Sequence, residues 1–241
     1  MEKVLKTEKL SVGYKKNIIV DDINISIEKG KIICLAGSNG SGKSTLLRTL
    51  AGIQKPLGGR IFVGDKDITA YSELEKASKI SLLLTDRVEP ELMTGYDIVA
   101  SGRYPYTGRL GILADNDRKI INDIMELIGI TEIGNRYFSE MSDGQKQRFM
   151  LARALCQEPD ILIMDEPMTF LDIKYKKELA DIIVKLKKEK NLTMIMSLHE
   201  LELIRSLADT VICIKAGAVD KVGNPDEILN DEYIDYLFDI I

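Results

Sequence analysis

Residues 1–30 alternate, roughly, between polar and apolar positions. Val4, Leu5, Leu10 and Val12 are followed by Ile18, Ile19, Val20, Ile23, Ile25 and Ile27, with Gly13 and Gly30 as punctuation. A period of two predicts short, half-exposed antiparallel strands. The pattern then changes. Residues 31–36 are a compact apolar run beside a glycine at each end, and residues 44–52 space Leu46, Leu47 and Leu50 along one helical face closed by Gly52. Strand, glycine-rich turn and helix therefore follow in order. Further apolar runs at 80–84, 161–164, 192–196 and 210–214 mostly adjoin helix-period segments, as in a parallel sheet covered on both faces. Between Glu89 and Gln157 the pattern is helical with no clear buried strand. In Asp115–Ile128 the residues Ile120, Ile121, Ile124, Met125 and Ile128 make one face, and Gly129 supplies a C-cap. The expectation is an α/β fold in a single domain over 1–241. It has a mostly parallel sheet, an N-terminal antiparallel β subdomain, an α-helical subdomain inserted at about 89–157, and a helical tail at 226–241.

Composition narrows the function. Lys and Arg total 33 against 38 Asp and Glu, a net charge of −5, so the basic excess that tracks a nucleic-acid backbone is missing and no nucleic acid is expected as partner. Cys34, Cys156 and Cys213 lie far apart with no CxxC spacing and read as small buried hydrophobes in a reducing compartment. The N-terminal segment carries no apolar signal core and no run of 18 apolar residues occurs, so a cytosolic location is expected. The lysine-rich run 174–190 reads as the solvated face of one helix, with Leu179, Ile182, Ile183 and Leu186 behind it.

The chemistry concentrates in two places. Gly37, Ser38, Asn39, Gly40, Ser41, Gly42, Lys43, Ser44 and Thr45 satisfy G-x-x-x-x-G-K-[ST] directly after a buried strand and at the opening of a helix, the context a phosphate-binding loop requires. Tight winding at the glycines aims backbone N–H groups inward, Lys43 reaches the β and γ oxygens, and Ser44 is placed to ligate Mg²⁺. Then the apolar run 161–164 delivers Asp165 and Glu166, at the carboxyl end of a strand where open α/β sheets bind ligands. Asp165 is assigned to Mg²⁺ and Glu166 to the water that attacks the γ-phosphate. His199, the single histidine, follows another core strand by three residues and is assigned a γ-phosphate contact. Tyr14 reads either as a ring stacking on adenine or as an exposed strand tyrosine.

With these residues on the page, the chain resembles the ATP-binding subunits of ABC transporters over residues 1–225, on a P-loop NTPase core. Beyond the Walker A loop (37–45) and Walker B strand (161–166), residues 141–145 (Met-Ser-Asp-Gly-Gln) are similar to the family's signature, 169–172 (Thr-Phe-Leu-Asp) to its D-loop, His199 to its switch histidine and Tyr14 to its adenine-stacking aromatic. The resemblance implies ATP and Mg²⁺ as cofactors and a homodimer packed head to tail. In it Ser142, Gly144 and Gln145 of one chain cover the nucleotide of the other, and Asp172 joins the site. Residues 101–108 (Ser-Gly-Arg-Tyr-Pro-Tyr-Thr-Gly) are similar to a segment of importers for iron-siderophore complexes, haem and cobalamin. This implies two transmembrane permease subunits docking on helix 94–102 and the turn after it, a substrate-binding protein beyond them, and a place on the cytoplasmic face of the cell membrane.

Two positions depart from the family pattern. Where a glutamine normally follows the strand at 80–84, this chain has Thr85 and Asp86; either side chain, or a water, is expected to replace it. Asp143 stands where the family has a glycine, and as a comfortable N-cap it is expected to face away from the nucleotide. The rival reading is a soluble ABC ATPase outside transport, such as an iron-sulfur cluster assembly factor; an exporter ATPase is the third.

Overall fold

The computed structural model of the chain describes residues 2–84, 90–108 and 111–240. Its first half runs β1 (Lys3–Tyr14), β2 (Asn17–Ile23), β3 (Ser26–Glu28), β4 (Ile32–Ala36), α1 (Lys43–Leu50), β5 (Gly58–Val63), β6 (Lys66–Asp67), α2 (Glu73–Lys79), β7 (Ile80–Leu83), α3 (Gly95–Ser101) and α4 (Asp115–Ile128). The second half runs α5 (Asp143–Leu155), β8 (Ile161–Met164), α6 (Ile173–Lys190), β9 (Thr193–Ser197), α7 (Leu201–Leu207), β10 (Thr210–Lys215), β11 (Ala218–Gly223), α8 (Pro225–Ile228) and α9 (Asp231–Phe238).

Among the described residues the strands join in one sheet, ordered β6-β5-β1-β2-β11-β10-β4-β9-β8-β7, with β3 on β1. The stretch β10-β4-β9-β8-β7 is parallel, and β1 pairs antiparallel with β2, β3 and β5. This is the expected α/β architecture, with the antiparallel portion continuous with the parallel one through β2 and β11. Register brings the carboxyl ends of the parallel strands to one edge: Ala36 pairs with Cys213, Leu35 with Ser197, and Met164 with Met196. The loops that carry chemistry therefore leave the sheet side by side.

Alternation along β4 divides the core. Ile33 and Leu35 pack with Leu46, Leu47 and Leu50 of α1, while Ile32, Cys34 and Ala36 belong to the cluster of Phe138, Phe149, Leu151 and Leu179. The strand is buried on both faces and α1 is clamped to one of them, at roughly 1.5–3 kcal/mol per large apolar side chain. All three cysteines are buried, and burial pushes the thiol of Cys156 up to about 12.

The helix after the signature starts one residue earlier than a cap at Asp143 would place it. Ser142, not Asp143, is the N-cap: its Oγ accepts from the Gln145 N–H at 3.3 Å, and Gln145 Oε1 accepts from the Ser142 N–H at 3.1 Å. This capping box starts α5 at Asp143, two residues before Gln145, and makes Asp143 its first helical residue.

Arg103 shows what holds the helices between β7 and β8 together. It is 3% exposed. Its Nε donates to Asp117 Oδ1 at 2.9 Å, its Nη1 donates to Cys156 O and Glu158 Oε2, each at 2.7 Å, and the guanidinium lies 4.0 Å from the Tyr106 ring centroid. The side chain ties the turn after α3 to the first turn of α4 and the C-cap of α5, where a cation also meets the helix dipole. Arg103 thus faces inward while its neighbour Tyr104 is exposed. We predict that Arg103→Ala costs about 3 kcal/mol, because buried Asp117 loses its counter-charge. A shift in the urea midpoint equivalent to less than about 1 kcal/mol would contradict this staple.

Candidate nucleotide site

β4 ends at Ala36 and the chain turns at once through Gly37 and Gly42, where side chains do not fit. A Cβ on Gly37 would lie 2.5 Å from Ile214 O; on Gly42, at φ +102°, it would lie 2.6 Å from Val20 Cγ2 and 2.8 Å from Ile19 Cγ2. The loop is therefore wedged between β10 and β2. Gly42 offers no side chain to cap α1, so the first-turn N–H groups of that helix are left for an anion. Lys43 is buried, and its Nζ donates to Gly37 O at 2.8 Å and Ser38 O at 2.9 Å. Desolvation holds its ammonium below the usual lysine range, against the opposing pull of Glu166 and Asp165. Ser38, Asn39, Gly40 and Ser41 line a cavity of about 390 Å³ with Lys215, Gly217 and Asp239. Thr45 turns into the protein on α1.

The two carboxylates arrive from β8 and are held by β9. Asp165 is 4% exposed. Its Oδ1 accepts from Ser44 Oγ at 3.0 Å and from Ser197 Oγ at 2.8 Å, and Ser197 Oγ in turn accepts from the Glu166 N–H at 2.8 Å. Glu166 sits in the left-handed region at φ +48°, a strain of about 1 kcal/mol or more that the surrounding bonds must hold. Its carboxylate is gripped at both oxygens: His199 Nε2 lies 2.5 Å from Oε1, and Thr169 Oγ1 donates to Oε2 at 3.2 Å. Ser44 and Asp165 present two hard oxygens 3.0 Å apart. That donor set fits Mg²⁺, which takes one or two protein oxygens and completes its shell with water and phosphate.

Lys43, Ser44, Asp165, Glu166 and His199, far apart in sequence, are thus gathered at one sheet edge. Ser197 was missed by sequence reasoning, although its place at the end of β9, two residues before His199, marks it in retrospect. The remaining sequence-predicted residues lie elsewhere. Tyr14 is exposed at the β1–β2 turn. Ser142 and Gln145 form the capping box of α5, Gly144 is buried under the Tyr175 ring, and Asp172 caps α6 through the Tyr175 N–H at 3.0 Å. Thr85 and Asp86 lie outside the described residues.

A phosphate loop between a buried strand and an uncapped helix, with an acidic pair at the end of β8, separated from β4 by β9 alone, defines a P-loop nucleotide-binding protein. Residues 20–169 match the ABC transporter family, and this chain belongs to it. It is 43% identical to the ABC transporter ATP-binding protein MJ0873 of Methanocaldococcus jannaschii, over 98% of this chain and 82% of the relative. It is 36% identical to the iron(3+)-hydroxamate import ATP-binding protein FhuC of Bacillus subtilis, over 98% and 88%. Among solved structures, CbiO1 of Clostridium perfringens, part of the ABC transporter complex CbiONQ, superposes with a TM-score of 0.85 at 29% identity, over 97% of this chain and 93% of that one.

Proposed function

We propose that this ATPase powers import of a metal chelate through two membrane-spanning permease subunits, acting as a head-to-tail homodimer on the cytoplasmic face of the membrane and served by a substrate-binding protein. The carrying observation is the chain of hydrogen bonds from Ser44 through Asp165 and Ser197 to Glu166 and His199. It joins the phosphate loop to a held carboxylate, as hydrolysis requires and mere nucleotide storage does not. The import direction is supported by the relatives named for iron(3+)-hydroxamate and petrobactin import; among the described residues, no helix is long and apolar enough to cross a membrane.

In this reading the amides of residues 40–45 and Lys43 grip the β- and γ-phosphates, and Tyr14 stacks on the adenine. Ser44 and Asp165 would hold Mg²⁺, which would supply positive charge against the phosphate oxygens. Glu166 takes a proton from the attacking water as its oxygen bonds to the γ-phosphorus. The bond from that phosphorus to the bridging oxygen breaks, leaving ADP and phosphate. His199 contacts the γ-phosphate and holds Glu166 in place. The signature residues Ser142 and Gly144 of a second copy close over the γ-phosphate, with Asp172 nearby. The exposed surface around Tyr104 receives the permease. Isolation of the native protein from its own membranes is expected to bring polytopic subunits with it; a soluble complex with no membrane protein would overturn the transport reading.

A further inference from the structure

The signature helix and the catalytic strand of the same chain are clasped along one helix face. On α5, Gly144, Gln147 and Arg148 are spaced i, i+3 and i+4, so they share a side. Each meets the segment that runs from Glu166 into α6. A Cβ on Gly144 would fall 2.5, 2.6 and 2.8 Å from Cγ, Cδ1 and Cδ2 of Tyr175, so the ring lies flat against the glycine. Gln147 Nε2 donates to Pro167 O at 2.8 Å, and Pro167 is the residue after Glu166. Arg148 pairs with Glu178, one turn beyond Tyr175 on α6, and its guanidinium lies 5.6 Å from the Tyr175 ring centroid. Tyr175 is half-buried, and none of the site's phosphate, acid–base or metal roles falls to it.

From this juxtaposition we infer that Tyr175 is a positioning residue for ATP hydrolysis: its ring sets the stance of Gly144, and through the α5–α6 clasp it ties the signature to the Glu166 loop as one body. The inference rests on the head-to-tail reading, in which Gly144 serves the nucleotide of the second copy while Glu166 serves its own. The clasp then links the two nucleotides of a dimer, because a movement of Pro167 as Glu166 engages one γ-phosphate carries the amide that engages the other. The link is a packed, hydrogen-bonded contact between two helices, not a sequence correlation. An aromatic ring is well suited to it, since the flat face allows close approach to a glycine and the body has only two side-chain torsions to fix.

The test uses the full chain with Tyr175→Ala and Tyr175→Phe, alone and combined with Glu166→Gln. Affinity for a fluorescent ATP analogue at limiting protein concentration reports on the chain's own phosphate loop. Turnover, its Hill coefficient in ATP, and ATP-dependent dimer formation by light scattering report on the signature. Tyr175→Ala is expected to keep analogue affinity within about twofold while kcat falls about tenfold or more, as misplacement of a transition-state contact does. Its Hill coefficient drops toward one and the dimer signal of the double variant is lost, and Tyr175→Phe, which keeps the ring, restores all three. A kcat within twofold of the parent for Tyr175→Ala overturns the inference. So does a loss of analogue affinity in step with kcat, which marks a merely structural residue. If Glu166→Gln alone forms no ATP-dependent dimer, the head-to-tail reading fails first and takes the inference with it.

Discussion

Glu166→Gln is expected to lower ATP turnover by about 10²–10⁴-fold while leaving ATP affinity within a few-fold of the parent and letting ATP-bound dimers accumulate. The carboxylate is placed to accept a proton, and an amide of the same shape cannot. What the substitution preserves is as informative. The Glu166 backbone is fixed by its N–H bond to Ser197 Oγ, which an amide side chain does not disturb, and His199 and Thr169 keep a partner at each side-chain position. Lys43 and the loop amides, to which the proposed mechanism assigns ATP affinity, do not depend on the proton. Removing a negative charge beside the γ-phosphate also favours the ATP-bound state electrostatically. Steady-state phosphate release and size-exclusion chromatography with ATP check both halves. Hydrolysis at the parent rate would remove Glu166 from its role as base.

Much of this was legible in the chain because local chemistry and global position agree there. A P-loop must be glycine-rich, must follow a buried strand and must open a helix, so residues 32–50 announced themselves three times over. The apolar strand ending in Asp165 and Glu166 was equally plain. What the pattern could not give is pairing. The neighbour of β8 is β9, set by the sheet order, and only that order brings Ser197 under Asp165. Short, mixed strands such as β5 and β6 carry too little periodicity to stand out. The start of α5 falls one residue before that of an Asp143-capped helix, because the Ser-x-x-Gln box at Ser142 satisfies both backbone donors. The inward course of Arg103 could not be read from the pattern, because Asp117 and Glu158, which supply its counter-charges, are distant in sequence. Tyr175 had no signal at all: a tyrosine near a helix start is ordinary until the fold lays it on a glycine.

Lys43→Ala is expected to weaken ATP binding by about a hundredfold or more, since charge-assisted hydrogen bonds to phosphate contribute roughly 1.5–3 kcal/mol each and a buried ammonium can make two. The same variant has a second, independent readout. Burial holds the Lys43 ammonium below the ordinary lysine range in the folded chain. Between that depressed value and the ordinary one, the unfolded chain binds more protons at this position than the folded chain does, so stability rises with pH across the window. Below the window both states are protonated and the cost of burying the charge is fully present; above it both are neutral and the cost is gone. Measured without added nucleotide, Lys43→Ala is therefore more stable relative to the parent on the acid side of that window than on its alkaline side. Saturating ATP reverses the sign for the parent alone, because the triphosphate supplies the counter-charge that the desolvated ammonium lacks. If the variant binds ATP as well as the parent does, or if the stability difference between them is flat across alkaline pH, the lysine is not the buried, phosphate-seeking cation that its geometry describes.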